Sequence, residues 1–116
     1  VLRFLVNSLT PEENLIAAQS YDNYALRNAA ENGHLAVVQF LMDLGLTTED
    51  VKSENHYAFR WAARNGHLSV LQFLANILTS DEILIAAQTY DNYAHRWAIE
   101  GCHVAVAEFL SNILSK

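Results

Sequence analysis

The sequence repeats itself, and this repetition restricts the possible folds more than any other feature. Three segments of 21 residues align without gaps and begin at Tyr24, Tyr57 and Tyr93. They are spaced by 33 residues and then by 36 residues. Residues 1–25 also match residues 70–94 at 18 of 25 positions, at an offset of 69. The chain is therefore predicted to form a stack of similar units, and the longer period suggests that a pair of units was duplicated.

Each unit has the periodicity of two helices. Small and apolar residues recur at helical spacing before Gly33, where a glycine in the left-handed conformation can end a helix. Apolar residues recur at helical spacing again after it, and a joint this short makes two helices run nearly antiparallel. Four Gly and one Pro also leave little turn chemistry for a many-stranded protein. We predict essentially no strand, and helices near 24–32, 35–44, 57–65, 68–78, 93–101 and 104–114.

The connections between the units are of two kinds. Thr10 to Glu13 and Thr79 to Glu82 have the pattern of capping boxes, and each opens a short additional helix. Residues 10–22 and 79–91 are therefore expected to share one conformation. Residues 46–56 should differ, because that connection is three residues shorter and more polar.

The repeated unit resembles the ankyrin repeat. The pattern A-A-x-N-G-H-L is present, whereas the family's opening T-P-L-H is replaced by Tyr-Ala-x-Arg and its hairpin finger by the capped connections. The resemblance implies an all-α, ankyrin-like helical solenoid of about three and a half repeats. It also implies protein–protein recognition through the concave surface.

We expect a single ankyrin-repeat domain that covers residues 1–116. Its first part is a half repeat at 1–9, followed by repeats at about 21–45, 54–78 and 90–114 with capped helical connections between them. No stretch has the composition of a linker.

Composition argues against several functions. A net charge of -6 disfavours a nucleic-acid backbone binder, which needs a surplus of Lys and Arg. No apolar run reaches the ~20 residues that span a membrane, and one cysteine excludes an internal disulfide framework. No catalytic constellation or phosphate loop is present. We predict no enzymatic activity, no cofactor and no metal.

Three histidines recur in phase, at His34, His67 and His103. Stacked repeats place successive copies about 8–10 Å apart, so the three side chains cannot converge on one metal ion. The resemblance instead gives this His an anchoring role at the turn. Cys102 stands where the other repeats have Gly, and we expect Gly101 to take the positive φ in its place.

Arginine and tryptophan recur on the first helices. Arg27, Arg60 and Arg96 are predicted to bond backbone carbonyls or the Asp-Asn of an adjacent connection, with recognition of an acidic partner as the alternative. Trp61 and Trp97 either fill the seam between repeats or form contact hot spots.

The candidate partner-binding residues come from three locations: the Tyr-Asp pairs before the first helices, the first-helix position that Asn28 and the two tryptophans share, and the positions just before the turn glycine, which match the family's variable concave face. They are Tyr21, Asp22, Asn28, Glu31, Trp61, Arg64, Tyr90, Asp91, Trp97 and Glu100. Three hypotheses stay open: a protein-binding module, a targeting or scaffolding segment of a larger enzyme or host-directed effector, and a structural stack without a partner.

The two ends of the chain are apolar. Neither Val1 to Leu9 nor Val104 to Leu114 has the polar outer face of a capping repeat. We therefore expect the parent protein to continue beyond at least one end, and the isolated chain to self-associate or fray there. Similar arrays act in host interaction in large DNA viruses, protists and intracellular bacteria. The resemblance thus implies a cytoplasmic location, in the host cytoplasm if the source is a pathogen or virus.

Overall fold

The computed structural model describes residues 11–115, with the side chains of all except Pro11, Glu12, Asn14, Leu15 and Asp22. Helices follow one another throughout this part of the chain, and it contains no strand. The all-α prediction is confirmed. The helices are α1 (Pro11–Glu31), α2 (Leu35–Leu44), α3 (Thr48–Val51), α4 (Ser53–Arg64), α5 (Leu68–Ile77), α6 (Ser80–Glu100) and α7 (Val104–Leu114).

Three of these helices contain a left-handed turn, at the point where a connection passes into the first helix of a repeat. In α4 the turn comprises Glu54, Asn55 and His56, with φ between 54° and 62°. In α6 it comprises Tyr90, Asp91 and Asn92, with φ between 54° and 60°. In α1 the corresponding positive φ values belong to Tyr21 and Asn23. Non-glycine residues rarely adopt this conformation, so other contacts must hold each turn.

The long connection before the third repeat is helical, as predicted. Its capping box is present: the Glu82 amide donates to Thr79 Oγ1 (3.1 Å), and the Thr79 amide donates to Glu82 Oε1 (2.8 Å). Residues 11–20 are helical too, whereas Thr10 lies outside the described residues. The two long connections thus share their helical conformation.

The middle connection is shorter than the two long connections, but it ends in a left-handed turn as they do. It forms only the four-residue helix α3, where the Asp50 carboxylate accepts from the Thr47 amide at 2.9 Å. The left-handed turn that follows α3 has no counterpart in the sequence-based prediction.

The core lies along the seams between helices. Apart from the half-buried Ala25, alanines on the first helices are fully or almost fully buried and allow close approach. Larger aliphatic residues on the second helices fill the layer beside them. Phe59 is the largest completely buried side chain. The buried residues include Ala29, Ala30, Val38, Leu41, Ala62, Ala63, Val70, Leu71, Leu74, Ala94, Ala98, Val106 and Leu110.

Each first helix ends in the same hydrogen-bonded turn. The His34 amide donates to Ala29 O (2.9 Å), and the His67 amide donates to Ala62 O (2.8 Å). This pattern requires positive φ at the residue before the histidine, and Gly33 (76°) and Gly66 (81°) supply it.

The prediction for the third turn was wrong. Gly101 has φ −86°, and Cys102 takes the left-handed conformation with φ 59°. The physical reason is the hydrogen-bond register, because the His103 amide donates to Ala98 O at 2.9 Å, as in the other two repeats. That bond fixes which residue is left-handed, whatever its side chain.

The recurring histidines anchor the stack from one repeat to the next. A Cβ atom placed on Gly33 would lie 2.5 Å from Nδ1 of His67, and one on Gly66 would lie 2.4 Å from Nδ1 of His103. Each imidazole therefore packs directly against the glycine turn of the preceding repeat. This contact supports the anchoring role expected from the sequence.

Candidate functional site

Aromatic side chains form a continuous row along the first helices of the second and third repeats. We call Tyr57, Trp61, Arg64, Tyr93 and Trp97 the aromatic ladder. The ring centroids are 5.4 Å apart for Tyr57 and Trp61, 6.4 Å for Trp61 and Tyr93, and 6.0 Å for Tyr93 and Trp97. These separations are typical of favourable aromatic pairs.

Arg64 holds the ladder together between the repeats. Its guanidinium lies 4.3 Å from the ring centroid of Trp61 and 4.3 Å from that of Trp97. Its Nη1 also donates a hydrogen bond of 2.8 Å to the hydroxyl of Tyr93. A planar guanidinium suits this place because it can stack on two aromatic faces and still donate at its edge.

The recurring arginines Arg27, Arg60 and Arg96 stabilise the left-handed turns. Arg60 donates from Nε to Asn55 O (2.8 Å) and from Nη2 to Glu54 O (3.1 Å). Arg96 repeats both bonds with Asp91 O (2.8 Å) and Tyr90 O (2.9 Å).

The first repeat has the same contact, since Arg27 Nη2 donates to Tyr21 O at 2.9 Å. The prediction that these arginines bond backbone carbonyls of a connection is confirmed. Arg60 is only 7% exposed, and its guanidinium also lies 4.7 Å from the Tyr90 ring centroid.

The tyrosines of the ladder connect neighbouring repeats. The Tyr57 hydroxyl donates to Glu31 Oε1 at 2.6 Å, and Asn65 Nδ2 donates to the Glu31 carbonyl at 2.9 Å. Burial and the hydrogen bond to Glu31 raise the pKa of Tyr57 to about 12. The hydroxyl therefore stays protonated and able to donate at neutral pH.

The structure brings some of the predicted binding residues together and separates others. Trp61, Arg64 and Trp97 are in mutual contact, and Glu31 is half-buried against Tyr57. The other predicted residues with described side chains are exposed, and the side chain of Asp22 is not among those described. The exposed ones are Tyr21, Asn28, Tyr90, Asp91 and Glu100.

Two ladder residues, Tyr57 and Tyr93, are missing from the predicted set. A sequence signal for them exists, because each precedes a tryptophan by four residues and so shares a helix face with it. The contact of Arg64 with a tryptophan of the next repeat has no such signal, because it depends on how consecutive repeats are offset.

A separate polar cluster lies at the middle connection. Lys52 Nζ is 3.0 Å from both Glu49 Oε1 and Glu82 Oε2, and these hydrogen bonds raise the pKa of Lys52. His56 is buried, with no hydrogen-bond partner for Nδ1 among the described residues. Burial, followed by the charges of Lys52 and Arg60, lowers the pKa of His56, whereas Glu82 opposes that shift.

Two concave regions border the third repeat. A cleft of about 270 Å³ is lined by Arg96, Trp97 and Glu100 at the end of the ladder. A larger groove of about 650 Å³ lies between α6 and α7 and includes Ile99 and Val104, which are 57% and 67% exposed. Within residues 11–115, no cluster of three or more His, Cys, Asp or Glu side chains is arranged to hold a metal ion.

The comparison with protein families agrees with this geometry. The sequence matches the family model of ankyrin repeats in three copies, over residues 1–82 and 26–114. The chain belongs to the ankyrin-repeat family, and its fold is an all-α repeat solenoid.

A solved structure is similar as well. The chain is 40% identical to an ankyrin repeat family protein from Legionella pneumophila and superposes on it with a TM-score of 0.78. The match covers 84% of this chain but spans only 29% of that chain. A search of curated proteins finds none that matches the sequence. In the described part of the chain, no helix has both the length and the apolar character needed to cross a membrane.

Proposed function

We propose that this chain binds a protein partner through its concave surface, on which the first helices of the repeats carry the aromatic ladder. Ankyrin repeats are generally protein–protein interaction modules, which supports the proposal. The observation that carries it is the ladder itself. Trp, Tyr and Arg are the residue types that most often dominate binding energy, and here they form one row with half-buried rings.

The ladder is suited to binding because much of its geometry is fixed before a partner arrives. Arg64 is held by two tryptophans and by Tyr93, and Tyr57 is held by Glu31. Side chains that are already ordered lose little conformational entropy on association. The exposed Tyr21, Tyr24 and Tyr90 can add further contacts.

The other predictions stand as parts of this proposal. The chain acts without catalysis, cofactor or metal, as one domain made of the half repeat 1–9 and three full repeats. It works in the cytoplasm, or in the host cytoplasm if its source is a pathogen or virus. Cys102 is a free, exposed thiol, which suits a reducing compartment.

A second candidate function is a targeting or scaffolding segment of a larger protein, whose activity lies outside this chain. The match that spans 29% of the Legionella pneumophila protein supports it, because related repeats there are part of a longer chain. The complete open reading frame distinguishes the candidates: a catalytic domain beside the repeats favours the second, and repeats alone favour the first.

Peptide selection tests the binding function. A library of random peptides is selected on the folded chain, and affinities are measured for the double variant Trp61→Ala with Trp97→Ala. The matched control is Gln39→Ala with Gln72→Ala, two exposed and equivalent positions on the second helices. We expect the tryptophan variant to bind at least about tenfold more weakly and the glutamine variant to bind as before.

Circular dichroism of both variants confirms that each remains helical. Selected peptides that bind equally well without the two tryptophans, or that depend on Gln39 and Gln72 instead, contradict the proposal.

A further inference from the structure

The aromatic ladder ends at a cleft whose charge differs from that of the preceding repeat. Arg96, Trp97 and Glu100 line the cleft, which has a volume of about 270 Å³. The equivalent positions one repeat earlier are Arg60, Trp61 and Arg64. Glu100 therefore replaces the arginine that stacks between two tryptophans, and a carboxylate stands beside Trp97 where a guanidinium stands beside Trp61.

The chain itself provides an example of what binds beside these tryptophans. The guanidinium of Arg64 lies 4.3 Å from the Trp97 ring centroid and comes from the preceding repeat. The cleft adjoins the same indole further along the row. A second guanidinium, supplied from outside, would continue the alternation of aromatic rings and cations that Arg64 begins.

The two charged residues that line the cleft, Arg96 and Glu100, differ in whether their charged groups already have partners. Arg96 uses Nε and Nη2 to donate to the carbonyls of Asp91 and Tyr90, which fixes its guanidinium against the turn. The Glu100 side chain is exposed, and no ion pair within 4.0 Å joins it to any side chain that the structure describes. The Glu100 carboxylate thus has acceptor capacity that no described cation uses.

We infer that the cleft formed by Trp97 and Glu100 binds an arginine side chain of a protein partner. This inference rests on the proposed binding function and names the chemistry that the partner presents. Arginine fits better than lysine because a planar guanidinium stacks on the indole while its edge donates to the carboxylate. The net charge of -6 also attracts a basic segment over a longer range.

A titration with a minimal probe tests the inference directly. Nα-acetyl-arginine amide is added to the ¹⁵N-labelled chain at pH 7, and the indole N–H signals of Trp61 and Trp97 are followed by NMR. We expect a saturable shift of the Trp97 signal and a much smaller shift of the Trp61 signal. The neutral isostere Nα-acetyl-citrulline amide should leave both signals unchanged.

Two charge-matched variants localise the effect. Glu100→Gln removes the carboxylate of the cleft, and Glu108→Gln removes an exposed carboxylate on α7. Exposed ion pairs are worth little, so Glu100→Gln should weaken the probe about two- to fivefold, while Glu108→Gln should not change its affinity. Glu100→Arg should abolish binding by reversing the charge beside Trp97.

The inference is overturned if the Trp97 signal does not saturate with the arginine probe, if citrulline shifts it equally, or if the two glutamine variants behave alike. Its failure is distinguishable from failure of the proposed function. Peptides that depend on Trp61 and Trp97 but bind the Glu100→Gln variant unchanged would leave a binding face without an arginine site. If the Trp97 signal shifts saturably with the arginine probe but no selected peptide depends on Trp61 and Trp97, the arginine site exists and the proposed protein-binding function of the ladder is wrong.

Discussion

Two junctions between consecutive repeats lie within residues 11–115, and they share their supporting contacts but differ in the side chains they present. At both junctions a histidine ring packs on the glycine of the repeat before it, His67 on Gly33 and His103 on Gly66. At both, a tyrosine hydroxyl also bonds the side chain two residues before that glycine. The polarity of this bond is reversed, since Tyr57 donates to Glu31 whereas Tyr93 accepts from Arg64.

The difference lies on the first helices, at the face that we propose binds a partner. Asn28 and Glu31 in the first repeat correspond to Trp61 and Arg64 in the second. Asn28 is exposed, whereas Trp61 and Arg64 are stacked together and against the third repeat. The contacts that hold the stack are therefore repeated, while the residues available for recognition vary from repeat to repeat.

The largest expected effect is on the contact that both junctions share. Gly66→Ala adds a Cβ to a residue with φ 81°, at a point 2.4 Å from Nδ1 of His103. We expect a loss of about 2–5 kcal/mol in the free energy of unfolding, from left-handed strain and overpacking together. Gly33→Ala should cost a similar amount, and urea unfolding measures both.

Cys102→Gly is the control for those glycine variants, because Cys102 already adopts φ 59° with its side chain exposed. It should leave stability within about 1 kcal/mol of the unmodified chain. A Gly66→Ala variant that is as stable as the unmodified chain would show that the glycine turn is not a tight contact between repeats.

The next largest effect should differ between the second repeat, at the centre of the stack, and the third repeat. Arg60 and Arg96 each donate two hydrogen bonds to a left-handed turn, but Arg60 is buried and Arg96 is exposed. Lysine cannot reproduce the paired bonds. We expect Arg60→Lys to lower the free energy of unfolding by about 1.5–3 kcal/mol. Arg96→Lys should lower the free energy of unfolding by less than Arg60→Lys does, as measured by urea unfolding. Equal decreases for the two variants would show that the difference in burial does not affect stability.

The smallest effect concerns pH and the middle connection. His56 occupies the place of Asn23 and Asn92 in the long connections, and burial lowers its pKa below the ordinary value of 6.5. His56 is therefore protonated near pH 6.5 in the unfolded chain but only at lower pH in the folded chain. Stability should fall with decreasing pH in that window, by at most about 1.4 kcal/mol per pH unit for this one group.

His56→Asn provides the matched control, since asparagine already takes positive φ at both equivalent positions. The difference in unfolding free energy between the two proteins, measured from pH 7.5 to pH 5, isolates the contribution of this histidine. A difference that does not change with pH would show that His56 titrates alike in the folded and unfolded chains.

The helices and the stacking order could be predicted from the sequence because periodicity and the repeated Gly-His pair encode them locally. The left-handed turns could not, since consecutive non-glycine residues rarely take positive φ. The turn at Tyr90-Asp91-Asn92 is held by Arg96, which lies five and six residues beyond its bonding partners in α6. The conformation of Cys102 could not be predicted locally either. A hydrogen bond between His103 and Ala98 sets its positive φ, although a residue with a side chain disfavours that conformation.

The candidate site was predictable only in part for a related reason. Trp61 and Trp97 could be selected as candidate hot spots from their residue type, and Arg64 from its match to a variable position of the family's concave face. Their mutual contact depends on the offset between consecutive repeats, which brings Arg64 to 4.3 Å from both rings. Sequence spacing along one helix contains no information on that offset.

An exchange of the variable residues between the first two repeats tests whether these residues carry partner binding, and it leaves the histidine–glycine contacts between repeats in place. Trp61→Asn with Arg64→Glu gives the second repeat the side chains of the first, and Asn28→Trp with Glu31→Arg does the reverse. Affinity for peptides selected on the unmodified chain is measured for both folded variants. We expect at least about tenfold weaker binding for the first exchange and a smaller loss for the second, which leaves Trp61, Arg64 and Trp97 in place. Equal affinity for the first exchange and the unmodified chain would contradict the proposed function.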